Sequence, residues 1–72
     1  MNIKEVSYLL EIPRDTLLYY ETIGLLGQIE KDEAGKRCYH QKNIEDLKFI
    51  KLMREAGIEI CVIKKYIDLK YQ

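Results

Sequence analysis

The sequence is short of metal ligands, of helix breakers and of long apolar runs. Histidine occurs once, at His40, and cysteine twice, at Cys38 and Cys61, with no Cys-x-x-Cys pair. A structural zinc site takes four protein ligands, and a catalytic one takes three and a water, so no metal centre is expected. Two cysteines are also too few for a disulfide scaffold. Apolar runs reach only four residues, as at Ile60–Ile63, far short of the roughly 20 needed to cross a bilayer. Lys4 and Glu5 interrupt the N-terminal stretch, which has no secretory character. The chain is therefore expected in the cytoplasm, with free thiols and no membrane partner. Pro13 is the single proline, and no repeat, low-complexity tract or Gly/Ser-rich linker divides the chain. No P-loop, GxGxxG, nucleophile elbow or zincin motif is present, so neither an enzyme nor a cofactor is expected.

What is present is enough to fold. The 72 residues are 47% hydrophobic and 33% charged, which suits one small domain over residues 1–72, near the lower limit for a self-sufficient core. Twelve bases balance twelve acids. Their distribution is uneven: residues 1–30 hold two bases and five acids, a net of −3, while residues 31–54 hold seven bases and four acids, a net of +3.

Asn2 followed by Glu5 marks a helix start, with a capping side chain and a carboxylate three residues on. Ile3, Val6, Leu9 and Leu10 then fall on one helical face. Glu11-Ile12-Pro13 ends this helix, since proline disfavours a helical residue before it. A second helix is predicted over Arg14–Ile23, with Leu17 and Tyr20 inward and Gly24 as its stop, packed on by Leu25 or Leu26. Two short helices on so short a link make a helix-turn-helix. Gln28–Lys31 and Lys36–Tyr39 flank Asp32-Glu33-Ala34-Gly35, a turn composition that predicts a two-stranded hairpin. The longest helix is predicted over residues 41–56. Its apolar residues spread over more than one face, as in a helix contacted from several sides. From Ile58 on, Ile60, Ile63 and Ile67 have helical spacing, although Ile58, Ile60, Val62 and Ile63 would also suit a strand. A fourth helix fits the continuation through Lys64–Asp68 better. The expected fold is mainly α: a winged helix-turn-helix of four helices with a small two-stranded β wing.

Thr16-Leu17-Leu18-Tyr19-Tyr20-Glu21-Thr22-Ile23-Gly24-Leu25-Leu26 resembles the recognition-helix motif of MerR-family transcription regulators. Ile3-Lys4-Glu5-Val6 with Leu9-Leu10 resembles the family's first helix, and Gly35-Lys36-Arg37-Cys38-Tyr39 its wing. Ile44, Leu47, Phe49-Ile50, Arg54, Gly57, Ile60 and Ile63 match its later helices. The resemblance implies a sequence-specific DNA-binding domain, with the helix at about 14–23 in the major groove and the wing at about 28–39 on the flanking backbone. It also implies double-stranded promoter or operator DNA as partner, a homodimer in the full-length protein, and DNA distortion that serves RNA polymerase. The chain departs from the family pattern at four places. Leu18 stands for an arginine that usually contacts the DNA backbone, Lys36 for an aromatic, and Pro13 and Glu59 for capping hydroxyls. Family members usually continue into a dimerisation helix and a sensing domain, so a chain ending at Gln72 is expected to be a truncated or short member.

The resemblance implies a DNA-binding set of Arg14, Thr16, Leu18, Tyr19, Lys31, Lys36 and Arg37. Arg14 and Thr16 lie near the end of the helix that enters the groove. Arg14 can read guanine or hold a phosphate, or can pair with Asp15 or Glu11. Asp15 is expected to point away from DNA or to cap its helix. Tyr19 lies about 100° from Tyr20 around the helix, so the two cannot both face the core; it is either a surface tyrosine or a phosphate donor. Leu18, read as exposed, either touches a thymine methyl or weakens backbone contact. Arg37 aligns with the family's wing arginine. Lys31 and Lys36 either neutralise phosphates or belong to a solvated hairpin. Cys61, Val62 and Tyr66 can leave an apolar strip on the last helix, which marks either a partner interface or scattered exposed residues. Cys38 reads as a small apolar residue of the wing. Two other readings stay open, the first favoured by the short length and the second by the zero net charge, Leu18 and this strip. One is a short excisionase-like architectural DNA-binding protein. The other is a protein-interaction module on the same fold that has lost DNA binding.

Overall fold

Asn2 starts the first helix by accepting a hydrogen bond from the Glu5 amide at 2.8 Å, while the Glu5 carboxylate accepts from the Asn2 amide at 3.0 Å. In the computed structural model, which describes residues 1–71, helix α1 spans Ile3–Leu10, α2 Arg14–Thr22, α3 Gln41–Glu55 and α4 Ile60–Lys70. Gln72 lies outside the described residues. Strands β1 (Glu30–Lys31) and β2 (Arg37–Cys38) pair antiparallel, with Glu30 opposite Cys38 and Lys31 opposite Arg37.

Helix α1 ends on Glu11 in the left-handed region, φ 55°. Pro13 then takes the N-cap position of α2 and supplies no side-chain hydrogen bond. The second helix stops one residue earlier than expected, at Thr22. Gly24, at φ 77°, lets the Leu25 amide reach the Tyr20 carbonyl at 2.9 Å and its own amide reach the Glu21 carbonyl at 3.1 Å. Only a residue without Cβ takes this left-handed position at no steric cost.

The strands are shorter than expected, two residues each. Ile29 and Tyr39 are buried just outside them, and the turn is drawn tight by Asp32. The Asp32 amide donates to the Lys36 carbonyl at 2.8 Å, and the Asp32 carboxylate accepts from the Ala34 and Lys36 amides, each at 2.9 Å. Tyr39 also ties the hairpin to the start of the chain: its amide donates to the Met1 carbonyl, and its carbonyl accepts from the Met1 amino group at 3.0 Å.

Val6, Leu17, Leu25, Leu47, Ile50 and Ile63 are the fully buried centre, one or more from each helix. Leu9, expected on the inner face of α1, is 51% exposed, because Ile3, Val6 and Leu10 already fill the stripe that meets the core. Leu52 of α3 likewise faces outward. The tail is helical, as its spacing predicted, with Ile63 and Ile67 inward. Its end is fastened by the buried Asp46 of α3, whose carboxylate accepts from the Tyr71 hydroxyl at 2.8 and 2.9 Å.

Candidate nucleic-acid interface

Four cationic side chains from α1, α2 and the wing meet in one cleft. The cleft, of about 390 Å³, lies between the start of α1, the start of α2 and the wing turn, and is lined by Lys4, Arg14, Lys36 and Arg37 with Asn2, Ile3 and Gly35. None of these lining residues is acidic. The side chains of Lys4, Arg14 and Lys36 are exposed and take no ion-pair or hydrogen-bond partner among the described residues. A larger recess of about 630 Å³, lined by the Gly27–Lys31 segment and Glu21, carries Glu21 and Glu30 against Lys31 alone, so its charge disfavours an anion.

Arg37 differs from the other three. Its guanidinium donates to both carboxylate oxygens of Glu21, at 2.7 and 3.3 Å. The hydrogen bond to Glu21 raises the arginine pKa further above its ordinary value. The sequence places Arg37 in the DNA-binding set; in the structure its guanidinium joins the wing to α2. Sequence proximity gives no sign of this, since the partners are 16 residues apart.

The remaining expected residues are spread around α2. At 100° per residue, Leu18, Thr22, Asp15 and Tyr19 occupy the stripe opposite the buried Leu17 and Tyr20. Tyr19 is 53% exposed, its ring centroid 6.2 Å from that of Tyr20. Leu18 is half-buried rather than exposed. Asp15 caps nothing and sits between Leu18 and Tyr19 on the outward stripe. Thr16 is half-buried and faces α3, lining a recess with Tyr20, Lys51 and Arg54. Lys51 and Arg54, part of the basic excess of residues 31–54, are engaged elsewhere. Lys51 donates to the Leu10 carbonyl at 2.6 Å and Arg54 to the Ile58 carbonyl at 2.9 Å.

On α4, Val62 and Tyr66 are both more than half exposed, and Leu69, at 67%, extends their stripe. Tyr66 stacks on Phe49 with centroids 5.1 Å apart. Cys61 lies about 100° to one side, with its thiol 3.6 Å from the Glu59 carboxylate. Sequence reasoning missed Leu69, and it missed Lys4. Lys4 carries a local signal: a cation in the first turn opposes the helix dipole.

The model of the MerR HTH family regulatory protein matches residues 1–70. The chain belongs to the MerR family. It is a helix-turn-helix DNA-binding domain of the kind carried by transcription regulators. It is 36% identical over 69 residues to the HTH-type transcriptional regulator AdhR of Bacillus subtilis, covering 96% of this chain and 49% of that protein. It is 36% identical over 58 residues to the mercuric resistance operon regulatory protein of Bacillus cereus, covering 81% and 44%. A MerR family transcriptional regulator from Listeria monocytogenes superposes with a TM-score of 0.89 at 35% identity, over 99% of this chain and 54% of that one. A MerR family regulator that lacks the sensor domain, solved bound to promoter DNA, superposes at 0.91 and 22% identity, over 99% and 54%, and so shares the fold. The chain spans about half the length of these relatives. The matched relatives are regulators rather than enzymes. No helix among the described residues is long and apolar enough to cross a membrane.

Proposed function

We propose that this MerR-family domain binds duplex promoter DNA, with α2 in the major groove and the wing along the neighbouring backbone. One observation carries the reading: α2 and the wing turn present Arg14 and Lys36 to the same acid-free cleft. A recognition helix and an adjacent wing set on one face match the way winged helix-turn-helix domains meet a duplex. Arg14 holds a phosphate or reads guanine at the helix start, and the Tyr19 hydroxyl donates to a phosphate. Leu18 meets the backbone or a thymine methyl from the outward stripe, while Thr16, expected to face DNA, turns toward α3. Lys31 and Lys36 neutralise phosphates, while Arg37 holds the wing in place.

In the longer proteins of this family the same reading places two copies on a pseudo-palindromic promoter, in the cytoplasm, where the distorted DNA is presented to RNA polymerase. The Val62–Tyr66–Leu69 stripe, with Cys61 beside it, is the face left for protein contacts. A lone domain is expected to bind near the non-specific range of about 10⁻⁴–10⁻⁶ M. Amide NMR titration with a mixed-sequence duplex tests this. Salt-sensitive shifts grouped at Arg14–Tyr20 and Lys31–Tyr39 support the reading. Shifts confined to α4, or none at low salt, refute it and favour an interaction module, the second reading that the exposed α4 stripe supports.

A further inference from the structure

We infer that the cleft between the start of α1 and the wing turn seats one phosphate of the DNA backbone, held jointly by Lys4 and Lys36. The inference rests on the duplex-binding reading and adds α1 to the contacting surface.

Four observations converge on it. Lys4 and Lys36 both line the cleft, one from α1 and one from the hairpin turn. No carboxylate lines the cleft, and three of those around it are occupied. Glu5 is bonded to the Asn2 amide, Asp32 to the Ala34 and Lys36 amides, and Glu21 to Arg37. The third observation is in the backbone. The Ile3 and Lys4 amides open α1 and take no partner among the described residues, whereas the next amide, of Glu5, is capped by Asn2. First-turn amides point out of the N-terminal end of a helix, and with its dipole they favour an anion. Asn2 and Ile3 line the cleft, which puts that end of α1 at its edge. Fourth, Lys4 is placed against the helix dipole, an arrangement that costs stability until an anion sits between cation and helix end. Arg37 adds little net charge because Glu21 neutralises it. Lys4 and Lys36 meet only the backbone in this arrangement, so the pair positions the domain without selecting sequence.

The reach of the hairpin is fixed by two tethers. The Tyr39–Met1 pair holds the base of β2 against the chain start, and the Arg37–Glu21 pair holds its other face against α2. The two lysines are thus presented as one site rather than as independent solvated side chains.

The test compares Lys4→Gln, Lys36→Gln and the double variant with the parent domain by fluorescence anisotropy on a mixed-sequence duplex over a salt series. Lys65→Gln, on exposed α4 surface, is the control. The capping box at Asn2 and Glu5 is untouched, and circular dichroism confirms that each variant folds. The expected result is weaker binding in both single variants for any sequence. In the double variant, the slope of log K against log salt falls by about 0.9, the value for one phosphate rather than two. An unchanged affinity and slope for Lys4→Gln, alongside weakened binding by Arg14→Gln, overturns the seat and leaves the duplex-binding reading standing. Absence of salt-sensitive binding by the parent overturns that reading itself. Inorganic phosphate separates the two sources of anion. Amide shifts at Ile3, Lys4 and Lys36 with duplex, and none with equimolar phosphate, support a backbone seat. Equal shifts with both overturn that assignment in favour of a free-anion site.

Discussion

Arg37 on the wing and Glu21 on α2 close a two-pronged ion pair, with Nε 2.7 Å from one carboxylate oxygen and Nη2 3.3 Å from the other. The pair is about one-quarter to one-third exposed, so solvent screens it. A double-mutant cycle of Glu21→Gln and Arg37→Gln on thermal unfolding is expected to give a coupling of about 0.5–1 kcal/mol. Arg37→Gln should also weaken duplex binding while leaving its salt slope nearly unchanged, because the lost charge was already balanced. A slope lower by about 0.9 would show instead that Arg37 contacts a phosphate directly.

Tyr39 is 3% exposed, and its hydroxyl is buried without a hydrogen-bond partner among the described residues. An unpaired buried hydroxyl costs on the order of 1–3 kcal/mol. Tyr39→Phe removes that cost and keeps both backbone bonds to Met1. We expect a gain of about 1 kcal/mol, read as a melting temperature higher by roughly 4–8 °C for a domain of this size. A lower melting temperature would show that the hydroxyl is satisfied in solution.

Burial raises the ionisation of Tyr20 and Tyr39 above the ordinary tyrosine value, with the Arg54 charge opposing at Tyr20 and the Glu21 charge assisting at Tyr39. A group whose folded pKa is raised adds stability that is fully present below its unfolded value. That stability is lost as pH rises through the folded value. Denaturant midpoints should therefore hold steady through neutral pH and fall once unfolded tyrosine begins to ionise. The Tyr39→Phe variant should fall less steeply.

Much of the fold was legible because its signals are local. The Asn2–Glu5 box, the Gly24 stop and the Leu17–Tyr20 spacing each act within a few residues, and each appears as expected. The contacts that fix the site are not local. Lys51 reaches the Leu10 carbonyl across 41 residues, Tyr71 reaches Asp46 across 25, and Arg37 reaches Glu21 across 16. Each depends on packing that only the assembled helices provide. For the same reason a count of bases in residues 31–54 overstated the free charge. Lys51, Arg54 and Arg37 are engaged within the domain, while Lys4 is free.

Lys51 shows what one such contact is worth. Its ammonium caps the last turn of α1 at 2.6 Å and stands 3.8 Å from the Glu11 carboxylate. Lys51→Met keeps the aliphatic stem and leaves a helix-end carbonyl without its donor. Thermal unfolding should show a loss of about 1 kcal/mol. No loss would mean that water replaces the ammonium at no cost.

Leu18 offers the sharpest test of how α2 faces DNA. It is half-buried on the edge of the outward stripe, beside the exposed Asp15 and Tyr19. Thr22 bonds its carbonyl at 2.9 Å, a backbone contact that any side chain at 18 preserves. Arginine is a good helix former, and its long stem can lie over the same apolar surface while the guanidinium reaches solvent. Leu18→Arg should therefore leave the melting temperature nearly unchanged. If this stripe faces the phosphates, the variant should bind duplexes of any sequence several-fold more tightly, with a salt slope steeper by about 0.9. Asp15→Asn should act in the same direction, by removing a repelling charge from the same face. Parent-like affinity and slope in both variants would turn this stripe away from the duplex and leave only the Arg14 side of α2 to meet it.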